Sequence, residues 1–189
     1  MIKVPLEILR CYVCFCLRFF DLLGSVFTFV ASDVQSKINI LHHYLNGDAA
    51  RHYGTVSSMI SYEVTNNLTR INSSPPSGSR TLLRLHRALK FIIRLFDDLR
   101  SMGGGDKISA VTFKAYDETL AQYHSWIIRK AVGLAVYAMP SRQTLSEKMN
   151  CGGSEEQLKK ALGDLVDEVQ PVYDSIQSVY SDNSLLDLP

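Results

Sequence analysis

One periodicity dominates this 189-residue chain. Apolar residues recur at close to 3.6 positions almost throughout, and no stretch alternates persuasively as a strand would. The pattern is interrupted only at breaker clusters: N-G-D at 46–48, N-S-S-P-P-S-G at 72–78, M-G-G-G-D at 102–106, Met139-Pro140 and N-C-G-G-S at 150–154. The spacing predicts helices near 4–30, 33–45, 50–71, 79–101, 108–123, 124–138, 141–149 and 154–180. Ser154-Glu155-Glu156-Gln157 reads as a capping box for the last, which Pro171 should kink or break. With no repeat and no long linker, residues 1–189 are expected to form one all-α domain around a single apolar interior.

The most informative helix is 79–101. Leu82, Leu85, Leu89, Ile92, Ile93 and Phe96 form an apolar stripe, while Arg80, Arg84 and Arg87 recur at i, i+4, i+7 on another face. Like charges one turn apart repel, and cations are unfavourable at a helix start. An anion held between the arginine forks and the free N–H groups of the first turn would relieve both. The alternative is a solvated basic face. Arg94 and Asp98 can pair at i, i+4, which leaves the other three arginines as the unneutralised set.

Net charge is +1 with 21% charged and 46% hydrophobic residues, so nothing global points to nucleic acid, and an electrostatic role must be local. The longest uncharged run, Leu22 to Ser32, has 11 residues, about half of a bilayer span. No cleavable signal pattern precedes it, and a buried helix in a cytosolic protein is expected. Cys11, Cys14 and Cys16 crowd one apolar segment with Cys151 far away, which suits reduced, buried thiols better than a metal site. No metal or cofactor is expected.

Asp33 and Lys37 are one turn apart in S-D-V-Q-S-K-I. They are either a surface ion pair or a split site, with the carboxylate accepting from a ligand and the ammonium meeting its anion. His124, beside Trp126 in Y-H-S-W-I-I-R-K-A, is either a satisfied structural residue or a ligand contact. Trp126 suits core packing by default, and a membrane–water interface as the alternative. The chain holds no G-x-S-x-G, H-E-x-x-H, Walker or dinucleotide-glycine motif.

Taken together, S-D-V-Q-S-K-I, S-G-S-R-T-L-L-R-L-H-R-A-L-K, Y-H-S-W-I-I-R-K-A, M-P-S-R and the terminal S-L-L-D-L-P resemble the glycolipid transfer protein superfamily, in its branch for ceramide 1-phosphate. The resemblance covers nearly the whole chain. It implies a two-layer helical sandwich enclosing a pocket for lipid chains, and intermembrane transfer without catalysis. It assigns Asp33 to the ceramide amide and hydroxyl, Lys37, Arg80 and Arg84 to the phosphate, and His124 to the amide carbonyl. Arg87 and Trp126 support them. The glycolipid branch has Trp at the position of Arg80 and a neutral amide at that of Lys37, so the two cations here imply a phosphate rather than a sugar. The implied setting is a cytosolic monomer in transient contact with Golgi, endosomal, plasma or nuclear membranes. Family members usually carry about twenty further residues at the start; either the N-terminal stretch repacks in their place or this is a shortened form. Two other classes stay open: a lipid sensor or adaptor, and a helical enzyme on a lipid phosphate with His124 and Asp33 as acid and base.

Overall fold

The computed structural model describes residues 4–6, 27–103, 106–149, 151–152 and 154–189. The expectations for Cys11, Cys14, Cys16 and most of the first helix fall outside these residues. Among the described residues seven α-helices can be followed from end to end: α1 (Thr28–Leu45), α2 (Val56–Thr65), α3 (Gly78–Ser101), α4 (Ile108–Thr119), α5 (Trp126–Ala135), α6 (Arg142–Lys148) and α7 (Glu155–Asp182). Short 3₁₀ turns lie at Ala50–His52, Ala121–Tyr123 and Val136–Ala138. The expected all-α class holds, and among the described residues the only β feature is an isolated antiparallel bridge between Pro5 and Thr55.

Several boundaries differ from the sequence reading. α1 runs unbroken through Ser32 and Asp33, where a new start was predicted. Both side chains are exposed, so neither competes inside the helix, and Asp33 instead pairs with Lys37 one turn on. The helix predicted over 50–71 divides at Tyr53-Gly54-Thr55. Thr55 caps α2 through reciprocal bonds with Ser58, and Asn67, at φ 56°, lies just beyond its end. Val4 and Pro5 are extended rather than helical, with Val56 N–H donating to the Val4 carbonyl at 3.0 Å. α7 continues through Pro171. Residue 171 and Asp167, whose carbonyl loses its N–H partner, are both exposed, so water can take the vacated acceptor. At its start, Ser154 Oγ accepts from Gln157 N–H at 3.3 Å, one half of the expected box.

The described chain forms two compact units, each discontinuous in sequence. The first comprises residues 4–6, Ser32–His86 and Pro171–Pro189. Its interior includes Tyr53, Met59, Ile60, Leu82, Leu83, Ile176 and Tyr180, all but inaccessible to solvent. The Tyr180 hydroxyl donates to the Ser79 carbonyl at 2.7 Å, and the His86 ring stacks on Tyr173 at 4.2 Å. These contacts join the start of α3 to the end of α7. The C-terminal Leu185 and Leu188 are also buried, and Arg70 pairs with Asp187 at 2.9 Å.

The second unit comprises residues 27–31 and Arg87–Gln170. Leu95, Phe96, Leu99, Leu145, Leu158 and Leu162 are fully buried there. Arg142 organises one end: it donates to the Leu99 carbonyl at 2.6 Å and meets Glu155 through Nε at 2.7 Å, linking α3, α6 and α7. The whole predicted stripe of α3 is buried, and so are Leu83, Phe91, Leu95 and Leu99 on its other sides. α3 is therefore buried over more than its predicted stripe; Arg84 stays exposed, but Arg80 is buried, so the arginines do not form the simple solvated face that amphipathic spacing suggests.

Candidate functional site

In the first unit, Lys37 Nζ lies 2.5 Å from Asp33 Oδ2 on α1. The lysine is largely covered (16% exposed) and the aspartate open to solvent (66%). A half-buried ammonium whose counter-ion is an exposed carboxylate is well placed to share its three donors with a second anion.

The start of α3 is more elaborate than the sequence suggests. Glu63, on α2, is completely buried, and its carboxylate accepts from Gly78 N–H at 2.7 Å, Ser79 N–H at 2.9 Å and the Tyr53 hydroxyl at 2.9 Å. The next N–H groups also have partners: Arg80 N–H donates to Ser77 Oγ at 3.3 Å, and Thr81 N–H to the Ser77 carbonyl at 3.0 Å. The first turn thus has its anion already, in Glu63. The expectation that a ligand anion would bind these N–H groups is overturned, and side chains alone remain for that task. Burial and the Glu63 carboxylate together push the Tyr53 phenol well above its ordinary pKa, so it stays a donor.

Arg80 and Arg84 stand on successive turns of α3. Arg80 is 8% exposed; its Nη1 donates to the Ile71 carbonyl at 3.1 Å, while its Nε is buried without a hydrogen-bond partner. A solvated basic face is therefore excluded for Arg80. Arg84 is exposed, and among the described residues it has neither an ion pair nor a hydrogen bond. No hydrogen bond or ion pair links the Asp33–Lys37 pair to Arg80 or Arg84 among the described residues. Arg94, by contrast, pairs with Asp98 at 2.9 Å as expected and also with Glu118 at 2.8 Å. The Asp98 bond raises its pKa above the usual guanidinium value.

In the second unit, His124 follows the 3₁₀ turn Ala121–Tyr123 in an extended conformation. Its Nδ1 is 2.9 Å from the hydroxyl of Tyr116, a buried residue of α4. Burial, the largest cause, raises the Tyr116 pKa. The Arg87 guanidinium lies over the Tyr123 ring, 3.9 Å from its centroid. Trp126 opens α5 with 70% of its surface exposed, which overturns the default of core packing. Ile127, Leu134 and Tyr137 are similarly open, and Arg129 and Lys130 lie among them. These side chains form an exposed apolar set on α5 and the 3₁₀ turn that follows it.

Glu63, Tyr53, Tyr116 and Tyr123 were not picked out from sequence. Glu63 was visible only as a lone carboxylate in the apolar run M-I-S-Y-E-V, fifteen residues before the glycine it caps. Among the described residues no group of three His, Cys, Asp or Glu could hold a metal, and no helix is long and apolar enough to cross a membrane.

Residues 9–151 match the glycolipid transfer protein (GLTP) family model. The rat ceramide-1-phosphate transfer protein is 42% identical over 177 residues, covering 91% of this chain and 82% of the relative. Among solved structures, human ceramide-1-phosphate transfer protein in complex with 2:0 ceramide-1-phosphate superposes with a TM-score of 0.92 at 36% identity. That match covers 99% of this chain and 90% of the other. The apo-form of the mouse protein gives 0.89 at 40% identity, covering 99% and 91%. The chain belongs to the glycolipid transfer protein family. Its helices have the fold of that family, whose members transfer lipids rather than transform them, so the enzyme reading with His124 and Asp33 as acid and base is set aside.

Proposed function

We propose that this protein carries a phosphorylated sphingolipid, ceramide 1-phosphate, between membranes without changing it. The observation that carries the reading is the state of the two arginines. Among the described residues, one is buried with an N–H that has no partner, the next is exposed and unpaired, and no carboxylate neutralises either. A buried guanidinium with an unsatisfied donor is costly unless an acceptor arrives, and a phosphate offers several. In this reading Lys37, Arg80 and Arg84 grip the phosphate, Asp33 accepts from the ceramide amide and hydroxyl, and His124 meets the amide carbonyl. Arg87 has a supporting role through Tyr123. The relatives named as ceramide-1-phosphate transfer proteins, and the human structure holding that lipid, support the assignment.

Affinity and selectivity have different sources. Burying a methylene is worth about 0.8 kcal/mol against water, but a lipid leaving a bilayer is already dry, so an apolar pocket for its chains makes extraction nearly even and selects nothing. Selection falls to the cations, where each charge-assisted hydrogen bond is worth roughly 1.5–3 kcal/mol. A sugar head group would leave desolvated donors unpaired, and so is penalised as well as unrewarded.

Residues 1–189 act in this reading as one monomeric domain in the cytosol. It touches membranes transiently through Trp126 and its exposed apolar neighbours, and takes no nucleic acid, metal or cofactor. Transfer of a fluorescent ceramide phosphate between vesicles is the test. Arg84→Leu should slow it at least tenfold; an unchanged rate would refute the phosphate grip. Saturable binding with negligible transfer would instead favour a sensor or adaptor.

A further inference from the structure

The loop between α2 and α3 brings one serine to the edge of the arginine site. The Ile71 carbonyl accepts twice, from Ser73 N–H at 3.0 Å and from Arg80 Nη1 at 3.1 Å. The backbone of Ser73 and the guanidinium of Arg80 are therefore no further apart than those two hydrogen bonds laid end to end. Ser73 is exposed, and its Oγ donates to the Pro75 carbonyl at 2.9 Å. Arg80 is buried, yet its Nε and Nη2 have no hydrogen-bond partner among the described residues. A serine open to solvent thus stands next to a cation with donors to spare.

The sequence around this hydroxyl is equally particular. Of all the serines and threonines in the chain, Ser73 alone has a lysine or arginine three residues ahead of it, Arg70 in R-I-N-S. A cation at that spacing is what a protein kinase with carboxylates in its peptide groove reads. Arg70 pairs with Asp187 at 2.9 Å, but both partners are more than half exposed, and a pair of that kind contributes little and yields readily. Residues 71–74 are exposed and lie outside any helix, so a kinase can take them in extended form.

We propose that Ser73 is a phosphorylation site for such a kinase, and that its phosphate engages Arg80 and closes the site to the phosphate of the cargo. The γ-phosphoryl group of ATP passes to Oγ. The Oγ–P bond forms, the bond from the γ-phosphorus to the β–γ bridging oxygen breaks, ADP leaves, and the hydroxyl proton goes to solvent. The ester oxygen has no hydrogen, so the bond to Pro75 is lost and the side chain is released to turn. It then carries about −1.5 to −2 charges at pH 7 and three strong acceptor oxygens. A phosphate tethered this close has an effective concentration on the order of millimolar, and it outcompetes a lipid arriving from a membrane. The closure rests on the transfer reading, in which Arg80 grips the cargo; the pairing of Ser73 with Arg80 stands without it.

Three measurements on the full chain test this. Incubation with an arginine-directed kinase (the catalytic subunit of cyclic-AMP-dependent protein kinase) and magnesium ATP should add one phosphate, placed at residue 73 by mass spectrometry. Ser73→Ala should take up none, and Arg70→Ala should react at least tenfold more slowly. No incorporation in the parent, incorporation only elsewhere, or an equal rate in Arg70→Ala overturns the site. Phosphorus-31 spectra of the phosphorylated chain, without lipid, then read the pairing. The second ionisation of the phosphate, ordinarily at about pH 6, should fall by about one unit beside Arg80, and Arg80→Leu should restore it. An ordinary value in the phosphorylated parent, or a lowered one that survives Arg80→Leu, overturns the pairing. Last, phosphorylation should slow vesicle-to-vesicle transfer of ceramide 1-phosphate at least tenfold, and phosphatase treatment should restore the rate. An unchanged rate overturns the closure. A parent chain that transfers nothing refutes the transfer reading, and the first two measurements still decide the phosphorylation site and its arginine.

Discussion

The carboxylate of Glu63 accepts the backbone N–H of Gly78 at 2.7 Å, so a residue of α2 caps the helix that carries the arginines. Two backbone donors and one phenol converge on a side chain with no solvent contact. Glu63→Gln replaces one oxygen with an NH₂ that must face a donor. We expect a loss of about 2–3 kcal/mol of stability in urea unfolding, together with weaker lipid binding as the first turn frays. Tyr53→Phe, which removes one donor and leaves the backbone bonds, should cost about 1 kcal/mol.

Gly78 is required by what surrounds it. A Cβ there would stand 2.6 Å from Met59 Sδ, 3.0 Å from Tyr53 Cε1 and 3.1 Å from Glu63 Oε1. The thioether could shift if it were at the surface, but Met59 is fully buried. Gly78→Ala should therefore destabilise by about 1–3 kcal/mol by thermal or urea unfolding, although alanine is ordinarily the better helix former.

Arg80→Leu separates function from stability. It removes a buried, incompletely bonded cation and leaves an apolar chain in its place, a change that is often neutral or stabilising. The unfolding midpoint should stay level or rise while transfer of ceramide 1-phosphate falls at least tenfold, close to one charge-assisted hydrogen bond. A parallel fall in both would mean that Arg80 serves the fold through Ile71 alone.

Trp126→Ala and Ile127→Ala alter side chains that are mostly exposed. Stability should change by less than about 0.5 kcal/mol, while co-sedimentation with lipid vesicles falls several-fold. Unchanged sedimentation would move the docking surface elsewhere.

Glu155 provides a pH handle away from the lipid. Its hydrogen bond to Arg142 holds its pKa below the usual carboxylate value, against a smaller opposing effect of burial. A group depressed in the folded state adds stability above its unfolded value, about 4.3, and loses it as pH falls through the folded value. The carboxylate is half exposed, so the contribution is small. The stability difference between the parent and Glu155→Gln should be present at neutral pH and shrink as the pH falls below the ordinary glutamate value, about 4.3, toward the lower folded value.

Helical periodicity located α3 within a residue of each end, and α4 to α7 within a few, because strong breakers bound most of them; the α4–α5 boundary, which has no breaker, is the least accurate, and α5 keeps the helical period although most of it is exposed. It misplaced boundaries where two local signals compete. Ser32-Asp33 looks like a helix start yet lies inside α1, because an i, i+4 lysine supports the aspartate there. Thr55 is a cap that a continuing apolar period conceals. Of the proposed site, the cations and His124 stand out in the sequence because charges in apolar helices are conspicuous. The groups that hold them were not. Glu63 caps across fifteen residues and Tyr116 reaches His124 across eight, and side-chain direction between elements has no periodic trace.

The closed N-terminus of α3 changes how a phosphate can be let go. An anion seated on backbone amides is held by atoms that cannot withdraw unless the helix unwinds. Lys37, Arg80 and Arg84 are long side chains with rotatable stems, and Arg84 is exposed. A grip made of such levers opens one contact at a time by rotamer change, on a timescale far shorter than any movement of the fold. If those three cations hold the cargo as proposed, giving the rigid amides to Glu63 leaves its release to side chains that can unclench.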